Sequence, residues 1–97
     1  MSDYVDADVN EVDAANAASP TAERVLEFVA RQMADEPEAV SVSTESTPRG
    51  LKLNLRVGAG DVGRVIGRRG RTAQALRTLI AAAGARDGVA TNVDILD

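Results

Sequence analysis

The chain has 97 residues, a formal net charge of −4, 2% aromatic content and neither Cys nor His. That length allows one small domain, and the missing Cys and His exclude disulfides, thiolate nucleophiles, the commonest general base and most zinc sites. Tyr4 and Phe28 cannot build the aromatic platforms on which many RNA-binding folds stack bases, and net acidity by itself speaks against a polyanionic partner.

No apolar run reaches the roughly 18 residues of a membrane span, so none is expected. The acidic start Met1-Ser2-Asp3 lacks the basic region of a secretory signal, which makes a cytoplasmic location the expectation. No cofactor motif and no calcium-loop spacing of carboxylates is present.

Residues 1–19 carry Asp3, Asp6, Asp8, Glu11 and Asp13 and no base, the composition of an acidic disordered tail. Val5, Val9 and Val12 share a helical face, but Val is a poor helix former and no cap precedes them. The folded domain is expected over residues 20–97. Ser19-Pro20 is a helix start, with Ser as N-cap and Pro in the first turn. Ala22, Val25, Leu26, Val29 and Met33 then recur at helical spacing with Phe28 alongside, and Pro37 ends the helix near residue 35. Val40, Val42 and Thr44 alternate with polar residues as a half-buried strand. Thr47-Pro48-Arg49-Gly50 is a turn, and Leu51, Leu53, Leu55 and Val57 form the clearest strand, so the two make an antiparallel hairpin.

Gly58-Ala59-Gly60 breaks that strand, and Asp61 is expected to cap a short helix running to Ile66. After Gly67-Arg68-Arg69-Gly70 a second helix places Ala73, Leu76, Leu79, Ile80 and Ala83 in the core and closes at Gly84. Arg86-Asp87-Gly88 turns into a last strand carrying Val89, Thr91, Val93 and Ile95. The order is α-β-β-α-α-β, an α+β domain.

Resolved along the chain, the charge changes meaning. Residues 1–38 hold ten acids against Arg24 and Arg31, a local charge of −8. Residues 49–86 hold nine bases against Asp61 alone, a local charge of +8. Such a basic segment is the electrostatic footprint of a phosphate-rich partner. It contains the Gly-rich turn between two helices. There the glycines permit close approach of another backbone, the second helix offers unpaired N–H groups, and Arg68 and Arg69 offer bidentate phosphate contacts. Val62, Val65 and Ile66 supply an aliphatic surface against which bases can lie. A lone pair of glycines three apart is equally a structural corner. The aliphatic residues before it, the two Arg at its tip and the helix after it favour the phosphate clamp.

Val65-Ile66-Gly67-Arg68-Arg69-Gly70 resembles the VIGxxG signature of KH domains, whose GxxG loop clamps the backbone of about four nucleotides. Over residues 22–96 the chain looks like the KhpA (YlqC-like) family of small bacterial single-KH proteins. The likeness is carried by Asp35-Glu36-Pro37-Glu38-Ala39-Val40, by the run from Gly63 through Thr72, and by Ala75-Leu76-Arg77. The resemblance implies a type II (prokaryotic) KH fold, a three-stranded sheet packed against three helices. It implies single-stranded RNA binding at Gly67, Arg68, Arg69 and Gly70, with Arg64 and Arg71 flanking and Val62 and Ile66 bordering the groove. Lys52 and Arg56, which share the polar face of their strand, are further candidates. The resemblance also implies an RNA chaperone or post-transcriptional regulator linked to cell shape, acting as a homodimer or with a larger KhpB/Jag-like KH protein. A protein–protein adaptor in which RNA is secondary is the alternative. A duplex-DNA helix–turn–helix is disfavoured by the Gly-rich, basic turn, and no base, nucleophile and orienter combine into an enzyme site. The acidic tail is expected to compete in cis for the Arg-rich face.

Overall fold

The computed structural model describes residues 17–96; of the tail expected over residues 1–19, residues 1–16 lie outside them. At its end Ala17 O accepts from Ser46 Oγ and Ser19 is buried, so the folded domain takes in those residues. The first helix, α1 (Pro20–Met33), starts on a buried Ser19 whose hydroxyl accepts the Ala22 N–H at 3.1 Å. Its inward face is Ala22, Leu26 and Ala30, each fully buried, while Glu27 and Arg31 pair at 2.6 Å on the outer side. Phe28 departs from the expectation that it accompanies the apolar stripe. It lies two residues from Leu26, some 200° round the helix, and is 64% exposed. After α1 the chain passes through Asp35 and Glu36 into one 3-10 turn, Pro37–Ala39.

Strand β1 (Ser41–Thr47) pairs antiparallel with β2 (Gly50–Arg56), and β3 (Thr91–Leu96) pairs parallel with the other side of β2. The sheet order is therefore β1-β2-β3. The parallel pairing needs a long crossover, and two helices supply it: α2 (Val62–Ile66) and α3 (Arg71–Arg86). Alternation along β2 puts Leu51, Leu53 and Leu55 on one face, and the register adds Val93 opposite Leu53 and Ile95 opposite Leu55. All three helices cover that face. Val65 from α2 and Leu76, Ile80 and Ala83 from α3 complete one core with the α1 residues. Strand β1 is a polar edge: Val42 and Thr47 are half-buried, and Thr44, expected to share the half-buried face, is exposed. The opposite sheet face is polar: Lys52 Nζ meets Asp94 Oδ2 at 3.5 Å, and Asn54 Nδ2 donates to Glu45 Oε2 at 2.9 Å.

Three further expectations are corrected. Leu79 is 43% exposed, a quarter-turn from the face that Ala73, Leu76, Ile80 and Ala83 bury. Gly84 does not end α3, which continues to Arg86. Gly84 is buried because the backbone returning to β3 presses on it: a Cβ would stand 2.8 Å from Val89 O and collide with Thr91 Cγ2. Asp61 makes no side-chain cap to α2 and bonds elsewhere. At the far end of α3, Asp87 accepts from Ser19 Oγ at 2.8 Å and from Thr21 N–H at 3.2 Å, fastening α3 to the N-terminus of α1. The Ser19 hydroxyl chiefly, with Thr21, holds the Asp87 carboxyl below its usual value. Among the described residues no helix is long and apolar enough to cross a membrane, and no cluster of three or more Asp or Glu could hold a metal ion.

Candidate nucleic-acid interface

Helix α2 ends because Gly67 takes φ +78° and ψ 171°, outside the helical region. Its N–H still closes the helix onto Gly63 O at 2.8 Å. The turn then folds over a Gly70 N–H to Gly67 O bond of 3.1 Å and an Arg71 N–H to Arg68 O bond. Gly70 is left-handed at φ +73°, and so is Arg69, at φ +59° and ψ +24°. An L-residue with a Cβ rarely adopts that conformation. The two glycines have different duties. At Gly67 a Cβ would stand 2.6 Å from Thr72 Cβ and 2.9 Å from Thr72 N, so the first turn of α3 packs where the side chain would be. At Gly70 a Cβ would meet nothing within 4 Å, so only the backbone sign demands glycine.

The turn delivers α3 with no side chain capping its first N–H groups. Its positive end therefore faces outward in the company of exposed Arg68, Arg69 and Arg71. Among the described residues no carboxylate pairs with any of the three. Directly before the turn, α2 presents its aliphatic residues unequally. Val65 is fully buried in the core, Val62 is half-buried and Ile66 is 37% exposed. Val62 and Ile66, four apart, share one face of α2. The expected residues Val62, Ile66, Gly67, Arg68, Arg69, Gly70 and Arg71 thus come together on α2, the turn and the start of α3.

Arg64, Lys52 and Arg56 are placed differently. Arg64 Nη2 donates to Asp35 Oδ2 at 2.9 Å, and its Nε lies 3.6 Å from Asp61 Oδ1. Asp61, 2% exposed, accepts the Asp35 N–H on Oδ1 at 3.0 Å and the Glu36 N–H on Oδ2 at 3.1 Å. Those two amides, and then Arg64, hold its carboxyl below the usual range against the opposing effect of burial. Sequence reasoning had Asp61 as a helix cap. Its partners lie 25 and 26 residues away, beyond any local signal. Lys52 and Arg56 stand on the sheet face turned away from the helices, so they do not share the surface of the turn. Arg77, also in the basic segment, donates from Nε to Val93 O at 3.4 Å. A cleft of about 610 Å³ lies elsewhere, along α1 between Arg24, Phe28 and Arg31.

A mixed sheet in the order β1-β2-β3, three helices on one face, and a Gly-x-x-Gly turn joining the second helix to the third define a type II KH domain. Comparison with known proteins narrows the class. Residues 23–95 match the family model described as KhpA/KhpB, KH domain. The chain is 49% identical over 72 residues to a protein of Leifsonia xyli named RNA-binding protein KhpA, covering 74% of this chain and 92% of that one. A protein of the same name from Streptomyces coelicolor is 45% identical over 75 residues, 77% of this chain and 91% of its own. One from Borreliella burgdorferi is 37% identical over 73 residues, 75% and 89% of the two chains. No solved structure matches. The chain belongs to the KhpA/KhpB KH-domain family.

Proposed function

We propose that this protein binds single-stranded RNA and that the turn at residues 67–70 grips the sugar-phosphate backbone. The observation that carries the reading is the local charge balance. Arg68, Arg69 and Arg71 are exposed around the open N-terminus of α3 with no carboxylate partner among the described residues. Phosphates crossing the turn would meet backbone N–H groups and guanidinium forks together, while bases lie toward Val62 and Ile66. With no aromatic platform on that surface, affinity would come from the backbone and fall steeply with salt. The names of the similar proteins support RNA as the ligand.

One such module spans about four nucleotides, so we infer that it works in pairs, with a second copy or a larger KhpB/Jag-like KH protein, gaining effective concentration. The role that fits is a cytoplasmic RNA chaperone or post-transcriptional regulator. Lys52 and Arg56, on the outer sheet face, are proposed only as secondary contacts for an RNA that wraps the domain. A protein–protein adaptor is the second reading, favoured by the exposed Phe28 and Leu79. Replacing Arg68 and Arg69 together by Asp separates the two. The proposal expects binding of a labelled single-stranded RNA to be lost while the fold persists and duplex DNA to compete poorly with the wild type. Retained RNA binding in that variant would overturn the clamp.

A further inference from the structure

We infer that Asp61 is the positioning residue of the phosphate turn and that Arg64 is its strut rather than an RNA contact. This rests on the reading of the turn as an RNA clamp. The carboxylate stands at the start of α2, six residues before Gly67, where it has no solvent to share its charge with. Both its oxygens are committed to the backbone that leaves α1: Oδ1 to the Asp35 N–H, Oδ2 to the Glu36 N–H. Arg64, one turn further along α2, closes the loop by reaching Asp35 Oδ2 with Nη2 and Asp61 Oδ1 with Nε. The start and the middle of α2 are therefore both tied to one short segment, 35–36.

This fastening has a reason in the dimensions of α2. The helix has five residues, too few for its own hydrogen bonds to hold it, and only Val65 anchors it fully in the core. Without a second attachment, α2 could roll about that single side chain. A roll would redirect Val62 and Ile66 and tilt the turn that Gly67 begins. The lock supplies the second attachment, and it does so with two carboxylates, Asp35 and Asp61, set against the one guanidinium of Arg64. Arg64 thus adds little free positive charge to the interface despite its place beside the turn.

The experiment exploits an opposition of signs. Asp61→Asn keeps the shape, removes a negative charge near an RNA-binding surface, and sets an amide donor against one of the two N–H donors. Simple electrostatics predicts tighter RNA binding; loss of positioning predicts weaker binding. The probe is a fluorescein-labelled single-stranded RNA 12-mer pool of mixed sequence, titrated over a range of salt. The expected result is affinity about threefold to tenfold weaker at every salt concentration, from lost preorganisation. The slope of log affinity against log salt stays unchanged, because no phosphate contact has been removed. Arg64→Lys is the second variant and covers the case in which Asp61→Asn fails to fold. It keeps the charge but loses the fork that spans both carboxylates, and it is expected to weaken binding in the same way. Amide spectra of both variants should shift at residues 67–70 and not among the core residues of the sheet. Wild-type or tighter binding by Asp61→Asn, or by Arg64→Lys where the former does not fold, overturns the lock. The Arg68→Asp, Arg69→Asp double variant, run alongside, tells this failure from failure of the clamp: if that variant still binds RNA, the clamp reading has gone.

Discussion

Arg69 holds a left-handed backbone at φ +59° and ψ +24°, with its side chain exposed at the tip of the turn. A Cβ in that conformation costs roughly 1–2 kcal/mol, and the entropy of a glycine there costs roughly 0.5–1 kcal/mol in return. Arg69→Gly and Arg69→Ala both delete the guanidinium, but only the first relieves the backbone. The glycine variant should therefore be the more stable of the two by about 0.5–1 kcal/mol, or about 2–8 °C in Tm for a domain of this size. Both should lose RNA affinity equally, about fivefold at low salt for one exposed phosphate contact of about 1 kcal/mol. The magnitude of the log–log salt slope should fall by about 0.7. Thermal melts and fluorescence anisotropy on the three proteins are sufficient. Equal Tm values for Gly and Ala would refute the strain. Undiminished affinity in either variant would refute the use of the charge that the strain maintains.

The two motif glycines should respond unequally. Gly67→Ala drives a Cβ into Thr72 and should destabilise by about 2–4 kcal/mol, whereas Gly70→Ala, with open space around it, should cost only about 1 kcal/mol; urea midpoints compare them. Acid should unfold the domain through Asp61 and Asp87, whose folded carboxyls lie below their usual values. Their stabilisation is complete above the unfolded value of about 3.9 and is lost as pH falls through it toward the lower folded values. A chain carrying Asp61→Asn and Asp87→Asn should thus show a flatter dependence of urea midpoint on pH below about 5. Deleting residues 2–16 should tighten RNA binding at low salt and change little at high salt. Ser46 Oγ donates to Ala17 O at 2.9 Å, so the deletion should stop short of Ala17. Affinity that is the same with and without residues 2–16 at low salt would remove competition in cis.

Much of the fold was legible because burial imposes periods. Strand β2 buries every second residue, Leu51, Leu53 and Leu55, and its pattern is unambiguous for that reason. Ser19-Pro20 announces α1 because a cap acts within three residues of itself. The turn was legible since glycine is required there by local backbone geometry. What escaped was relational. Ala22 and Ala30 are small and let α1 settle close to its neighbours, so its core face is narrower than its hydrophobic stripe and Phe28 falls outside it, as Leu79 falls outside the buried face of α3. The roles of Asp61 and Arg64 depend on a segment more than 20 residues earlier. A charge count sees Arg64 as positive surface, and only the fold reveals that Asp35 neutralises it. Likewise, alternation shows that Lys52 and Arg56 share a face, but not that this face points away from the turn.

The central claim is that RNA is held at the turn between α2 and α3, and amide chemical shifts of the full chain titrated with a single-stranded RNA 12-mer address it residue by residue. The predicted result is a cluster of large shifts at Val62, Ile66, Gly67, Arg68, Arg69, Gly70, Arg71 and Thr72 that disappears as salt is raised. Shifts concentrated at Lys52, Asn54 and Arg56 on the outer sheet face, with the turn unmoved, would contradict it.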